Sequence, residues 1–209
     1  MKVLFVYPCY PVTFWSLKHA LKIISKKAVS PPLGLLTVAT LLPSEWNKKL
    51  VDLNIEKLKD EDIIWADYVF VSAMDIQRAS VREIISRCVQ LKTKVVAGGP
   101  LFATRDEEFE GIAHFVRGEF EEIAPRFVAD MEKGCLERFY ESEGKPDIGL
   151  VPVPEWSLID IKKYASLSVQ YSRGCPFDCD FCDVVLLNGR VPRTKSVEQM
   201  LDEMEAIYR

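Results

Sequence analysis

Residues 67–100 read DYVFVSAMDIQRASVREIISRCVQLKTKVVAGGP, and this stretch decides the fold. It opens with an apolar, β-branched and aromatic run, Tyr68 to Ser72, and closes with a second, Lys94 to Ala97. Between them Val81, Ile84, Ile85, Cys88 and Leu91 recur at helical spacing, so Ser80 to Leu91 reads as an amphipathic helix with Cys88 on its buried stripe. Two nearly unbroken apolar strands joined by a helix make a βαβ unit, and such strands belong to a parallel sheet covered on both faces.

The same alternation extends in both directions. Val3 to Tyr7, Lys49 to Ile55 and His114 to Val116 read as further strands, and Pro32 to Leu42, Glu56 to Trp65, Asp106 to Ile112 and Phe120 to Met131 as helices. The expectation is an α/β domain, a five-stranded parallel sheet of the flavodoxin or Rossmann type, over residues 1–143. Pro125 is expected only near the first turn of its helix, since proline removes an internal donor. Residues 144–165, with Pro146, Pro152 and Pro154 and no regular period, read as a linker. From 166 to 209 a second unit follows: a strand at Leu167 to Tyr171, a cysteine-rich loop, and a helix capped by Ser196 with Gln199, whose buried face is Val197, Met200, Leu201, Met204 and Ile207. One strand and one helix cannot enclose a core, so this unit reads as the truncated start of a larger domain, leaving apolar surface exposed.

With 27 basic against 31 acidic residues the net charge is −4, and no basic run suggests a nucleic acid or an anionic membrane. The start lacks the pattern of a signal peptide and no window of about 18 apolar residues occurs, so the expectation is a cytoplasmic protein without a transmembrane segment.

Three of the six cysteines crowd into Cys175-Pro-Phe-Asp-Cys179-Asp-Phe-Cys182. A structural zinc site takes four protein ligands, and no fourth Cys or His lies nearby. Three thiolates suit a cubane cluster instead, with one iron left open to an amino and carboxylate chelate. This run resembles the C-x3-C-x-aromatic-C motif of the radical S-adenosylmethionine (radical SAM) enzymes. The resemblance implies a 4Fe-4S cluster held by Cys175, Cys179 and Cys182, S-adenosylmethionine on the open iron, and Phe181 packed beside its adenine. It also implies a partial (β/α) barrel whose first strand leads into the motif.

Pro31-Pro32-Leu33-Gly34-Leu35, Ser72-Ala73-Met74, Gly98-Gly99-Pro100 and Gly118-Glu119-Phe120-Glu121 resemble segments of the cobalamin-binding domain of cobalamin-dependent radical SAM enzymes. The last three lie at strand carboxyl ends, where open α/β sheets bind ligands. The resemblance implies cofactor contacts at Ser72, Met74, Gly98, Gly99, Pro100, Gly118 and Glu119: Gly98 and Gly99 admit the backbone to a nucleotide tail and Ser72 donates to its base. On its own, Gly98-Gly99-Pro100 reads first as an ordinary strand-ending turn, and Glu119 and Glu121 read as carboxylates favoured by a helix dipole. The D-x-H-x-x-G motif of many cobalamin proteins is missing; His19 lacks its flanking Asp and Gly and reads as a surface residue.

The implied activity is methyl transfer to an unactivated carbon, in a subgroup that includes hopanoid methylases, on a small-molecule or lipid substrate with a flavodoxin or ferredoxin type electron donor. Arg190, Arg193 and Lys195 are candidate contacts to charged cofactor groups or simply solvated. Only 27 residues follow Cys182, so the resemblance implies a parent longer by roughly 200 residues, the scale of such barrels, and a 209-residue piece inactive alone. Radical chemistry without methyl transfer, and a non-catalytic cobalamin-binding module, stay open as alternatives.

Overall fold

The computed structural model describes residues 1–104 and 108–208, except the side chains of Trp15 and Thr104. Its centre is a fully parallel sheet in the order β2-β1-β3-β4-β5-β6. The strands are β1 (Lys2–Tyr7), β2 (Asn47–Asp52), β3 (Tyr68–Ser72), β4 (Lys94–Gly98), β5 (His114–Arg117) and β6 (Phe139–Glu141). The helices among the described residues are α1 (Lys18–Ile23), α2 (Leu33–Leu41), α3 (Asp60–Trp65), α4 (Arg78–Gln90), α5 (Pro100–Thr104), α6 (Phe120–Lys133), α7 (Val184–Asn188) and α8 (Val197–Tyr208).

Successive side chains of a strand point to opposite faces, which divides the core in two. Leu4, Val6, Val69, Val71, Val95 and Ala97 pack against α3, α4 and α5, with Cys88 fully buried as its place on the stripe implies. Val3, Phe5, Phe70, Val96 and Val116 pack against α2 and α6. On this second face Phe127 has edge contacts with Phe70, Phe120 and Tyr140, at centroid distances of 5.9, 5.5 and 5.0 Å. The chain leaves β1 toward β2 on one side and returns to β3 on the other, so the order reverses between β1 and β3, where a crevice opens at the carboxyl ends.

Several expectations need correction. The sheet has six strands, because the three-residue β6, too short to show a period, pairs along β5. The helix expected from Glu56 starts only at Asp60, since Ile55 and Glu56 first turn back onto the Asp52 carbonyl. The helix expected over Asp106–Ile112 falls partly outside the described residues; the helix in this connection is α5, which follows Gly99 directly, and residues 109–112 are not helical. Pro125 lies in the sixth position of α6, beyond the first turn, in a helix whose apolar face is buried along its length.

Leu167–Tyr171 forms no strand among the described residues; the pairing is instead a short antiparallel ribbon of β7 (Ser172–Arg173) and β8 (Arg193–Thr194), which the Lys195 N bond to the Tyr171 carbonyl (2.9 Å) continues. The capping box forms, with Ser196 and Gln199 exchanging bonds of 3.0 and 3.2 Å. The stripe of α8 is not a buried face: Val197, Leu201 and Met204 are exposed, and the helix buries Glu203 against Lys195. That exposed apolar surface is what a unit without its own core implies.

The proline-rich segment is strapped down. Thr40 Oγ1 donates to the Val153 carbonyl (2.9 Å), Glu155 N to the Leu36 carbonyl (3.1 Å) and Ala165 N to the Ala28 carbonyl (2.9 Å), while Trp156 and Tyr164 are buried.

Candidate functional site

A cleft of about 370 Å³ opens between α2, the carboxyl ends of β3, β4 and β5, and the start of α6. Its floor is the apolar face of Phe70, Val96 and Val116, and its rim carries Ser72, Gly98, Gly99, Pro100, Gly118 and Glu119. A smaller cleft of about 120 Å³ adjoins it at the point where the strand order reverses, with Ser72 and Met74 in its lining. All seven residues expected in the cobalamin-like segments therefore gather at one end of the sheet.

The glycines are there for different reasons. Gly99 has φ +90°, and a Cβ on it would stand 2.6 Å from Ser72 Oγ and 3.1 Å from the Ala73 nitrogen. Gly118, also at φ +90°, would meet Ser142 Cβ at 2.9 Å. Gly34, on α2, would meet nothing within 4 Å, so its missing side chain leaves open space in both clefts that the protein does not fill. An apolar floor, a backbone rim and unused space above a helical glycine together fit a large cofactor with a nucleotide tail. Neither histidine takes part: His19 is exposed and His114 is buried in β5, where Nδ1 bonds the Glu137 carbonyl at 2.7 Å.

Glu119 lines the cleft, but its carboxylate is already engaged by Arg173 (2.7 Å) and Arg193. Burial pushes its pKa up, yet bonds to Arg193 and Arg173 outweigh burial and hold it below the usual carboxylate range. Arg190 pairs with Asp178 at 2.8 Å and Lys195 with Glu203, so all three basic residues near the cysteine loop have partners within the chain. Sequence reasoning missed this network and the presence of Gln170, Arg173 and Asn188 in the cleft. The available signal was an Arg just before Gly174-Cys175 matched by two carboxylates at a helix start.

The cysteine loop follows β7 directly. Gly174 has φ +97° and leaves room for the Val191 carbonyl, while Cys175 N donates to the Gly189 carbonyl at 3.0 Å. Cys175 and Cys182 are partly exposed, Cys179 is exposed, and all three are free thiols. The donor set fits a three-thiolate cluster. Among the described residues, however, no three His, Cys, Asp or Glu side chains are gathered into a metal-holding group. Phe181 is 91% exposed beside it.

Asp52, at the end of β2, is 2% exposed. Its Oδ1 accepts from Asn54 N (2.8 Å) and Nδ2 (2.7 Å), and its Oδ2 from Tyr164 OH (3.1 Å). Burial raises its pKa despite these bonds. The folded chain therefore holds this proton more tightly than the unfolded one, and Asp52 destabilises progressively as pH rises from about 4, the unfolded value, through the raised folded value. Thermal midpoints of wild type and Asp52→Asn measured against pH check this: the difference, in favour of the variant, should grow with pH across that window and level off above it.

A parallel sheet with a glycine-rimmed cleft at its carboxyl ends is the form of an α/β cofactor-binding domain. The chain belongs to the B12-binding domain family, which matches residues 22–128. Along its whole length it is 39% identical to an uncharacterized methyltransferase of Synechocystis sp., covering 39% of that protein. Over 98% of the chain it is 34% identical to the hopanoid C-2 methylase of Rhodopseudomonas palustris, covering 40% of it. Over 88% of the chain it is 25% identical to the bacteriochlorophyllide d C-12(1)-methyltransferase of Chlorobaculum tepidum, covering 41% of it. The chain thus spans about two fifths of the length of these curated relatives. No helix among the described residues is long and apolar enough to cross a membrane.

Proposed function

We propose that this chain is the cofactor-binding, N-terminal part of a cobalamin-dependent radical SAM methyltransferase acting on an unactivated carbon, with residues 1–143 as the cobalamin domain, 144–165 as linker and 166–209 as the beginning of the radical SAM barrel. The observation that carries it is the meeting of two features at one end of the sheet: the glycine-rimmed cleft of the B12-binding domain and, beside it, the three-thiol loop. When bound, the cluster would supply the electron that cleaves S-adenosylmethionine and cobalamin would carry the methyl group.

The chain's own residues hold and orient these groups. Gly98 and Gly99 would let the backbone approach the nucleotide tail, Ser72 would donate to its base, and Met74, Pro100 and Gly118 complete the rim. Cys175, Cys179 and Cys182 would hold the cluster, and Phe181 would pack beside the adenine of S-adenosylmethionine. Glu119 shapes the mouth as a salt-bridged wall. Neither His19 nor His114 lines the cleft. A flavodoxin or ferredoxin type donor and a cytoplasmic setting complete the reading, with a small-molecule or lipid substrate supported by the hopanoid and bacteriochlorophyllide names of the relatives.

The test is product analysis of the intact protein, reconstituted without oxygen and supplied with methyl-labelled S-adenosylmethionine, a reductant and a candidate polycyclic lipid. Formation of 5′-deoxyadenosine with label in the product is expected. Deoxyadenosine without label in product excludes methyl transfer.

A further inference from the structure

Arg173 stands two residues before Cys175, with a side chain only 12% exposed. Its Nε donates to Gln170 Oε1 (2.8 Å), Nη1 to Glu119 Oε2 (2.7 Å) and Glu121 Oε2 (3.1 Å), and Nη2 to Glu121 Oε1 (2.8 Å). Its partner across the ribbon is another arginine, Arg193, which donates through Nη1 to Glu119 Oε2 at 3.0 Å. Like charges directly opposite each other repel, and here the Glu119 carboxylate bridges both guanidinium groups and offsets that repulsion. The two carboxylate side chains are 6% and 4% exposed.

Buried ion pairs of this kind add little net stability, because desolvation offsets the attraction; what they fix is geometry. The ribbon has two residues per strand, too few to hold itself in place. One of its strands enters the cysteine loop and the other leaves it. Glu119, Glu121 and Arg173 all line the cleft. We infer that Arg173 and Arg193 are positioning residues that clamp both stems of the cysteine loop to the start of α6, setting the cluster's place at the mouth of the cobalamin cleft. This rests on the reading of the loop and cleft as the two cofactor sites.

Two measurements on Arg173→Gln test it. In the cofactor-free chain, hydrogen exchange of amides in residues 172–195 should become at least about tenfold faster, with β1, β3 and β4 unchanged. In the chain loaded with iron, sulfide and hydroxocobalamin and reduced to paramagnetic cluster and cobalt, pulsed EPR should give a narrow distribution of cluster-to-cobalt separations for wild type and a broad one for the variant. Arg173→Lys, which keeps the charge but not the fork, should fall between. Should Arg173→Gln not fold, Glu121→Gln serves in its place and should loosen the same segment. Unchanged exchange, or an equally narrow distribution at full iron and cobalamin content, would overturn the inference. If wild type takes up no iron or no cobalamin, the functional reading fails, and the exchange experiment alone still decides whether the clamp exists.

Discussion

Cys179→Ala is expected to abolish cluster assembly and to leave the cobalamin domain intact. Wild-type chain reconstituted with iron and sulfide should hold about four irons, the content of one cubane, and the variant close to none, since a cluster with two protein thiolates loses a second iron from its protein anchorage. Cys179 is exposed and far from both halves of the core, so the thermal midpoint and cobalamin uptake should stay at the wild-type values. Cys88→Ala supplies the contrast. That thiol is fully buried and burial pushes its pKa up to about 11, so it is not a thiolate ligand at neutral pH. Its loss should lower stability by about 1–3 kcal/mol through poorer packing, at full iron content. Iron analysis and thermal melts of the two variants separate the roles.

The second large effect lies in the cleft. Gly99→Ala places a Cβ 2.6 Å from Ser72 Oγ and 3.1 and 3.2 Å from the Ala73 backbone, at a φ of +90° that disfavours any side chain. A hydroxyl can rotate away but backbone cannot, so the cost should reach about 1–3 kcal/mol, read as a lower thermal midpoint. Gly34→Leu is the sharper probe. Nothing stands within 4 Å of its Cβ and the residue lies in α2, where leucine is the better helix former, so stability should hold or rise by up to about 1 kcal/mol. The new side chain enters the space assigned to the nucleotide tail, and cobalamin affinity should fall at least about tenfold, equivalent to about 1.4 kcal/mol. A stable Gly34→Leu chain with undiminished cobalamin binding would place the cofactor elsewhere.

Much of this was legible in the sequence because each feature rests on a local rule. The apolar runs of β1, β3 and β4 and the stripe of α4 announce a doubly covered parallel sheet from periodicity alone, and the motif residues fall at strand ends because strands end where the apolar run ends. Features without a local rule were hidden. Phe139–Glu141 is a strand only because β5 offers it an edge. Leu167–Tyr171 has strand composition, but among the described residues only its end at Tyr171 meets a neighbouring backbone, at Lys195 N. The stripe of α8 has helical period, but what a helix buries depends on what stands opposite it, and here that is Lys195 with Glu203. The Arg173–Glu121 clamp joins residues 52 apart, a separation at which no spacing argument operates.

The proposed function places two cofactor sites in one chain, a cobalamin cleft and a three-thiolate cluster loop. Its most direct test is the absorbance spectrum of the protein after anaerobic reconstitution with iron, sulfide and hydroxocobalamin and removal of unbound material, because cluster and corrin absorb differently and are scored separately. Both signatures at close to one equivalent each are predicted. Corrin without iron would contradict the cluster assignment and leave a cobalamin-binding module, and iron without corrin would contradict the assignment of the cleft.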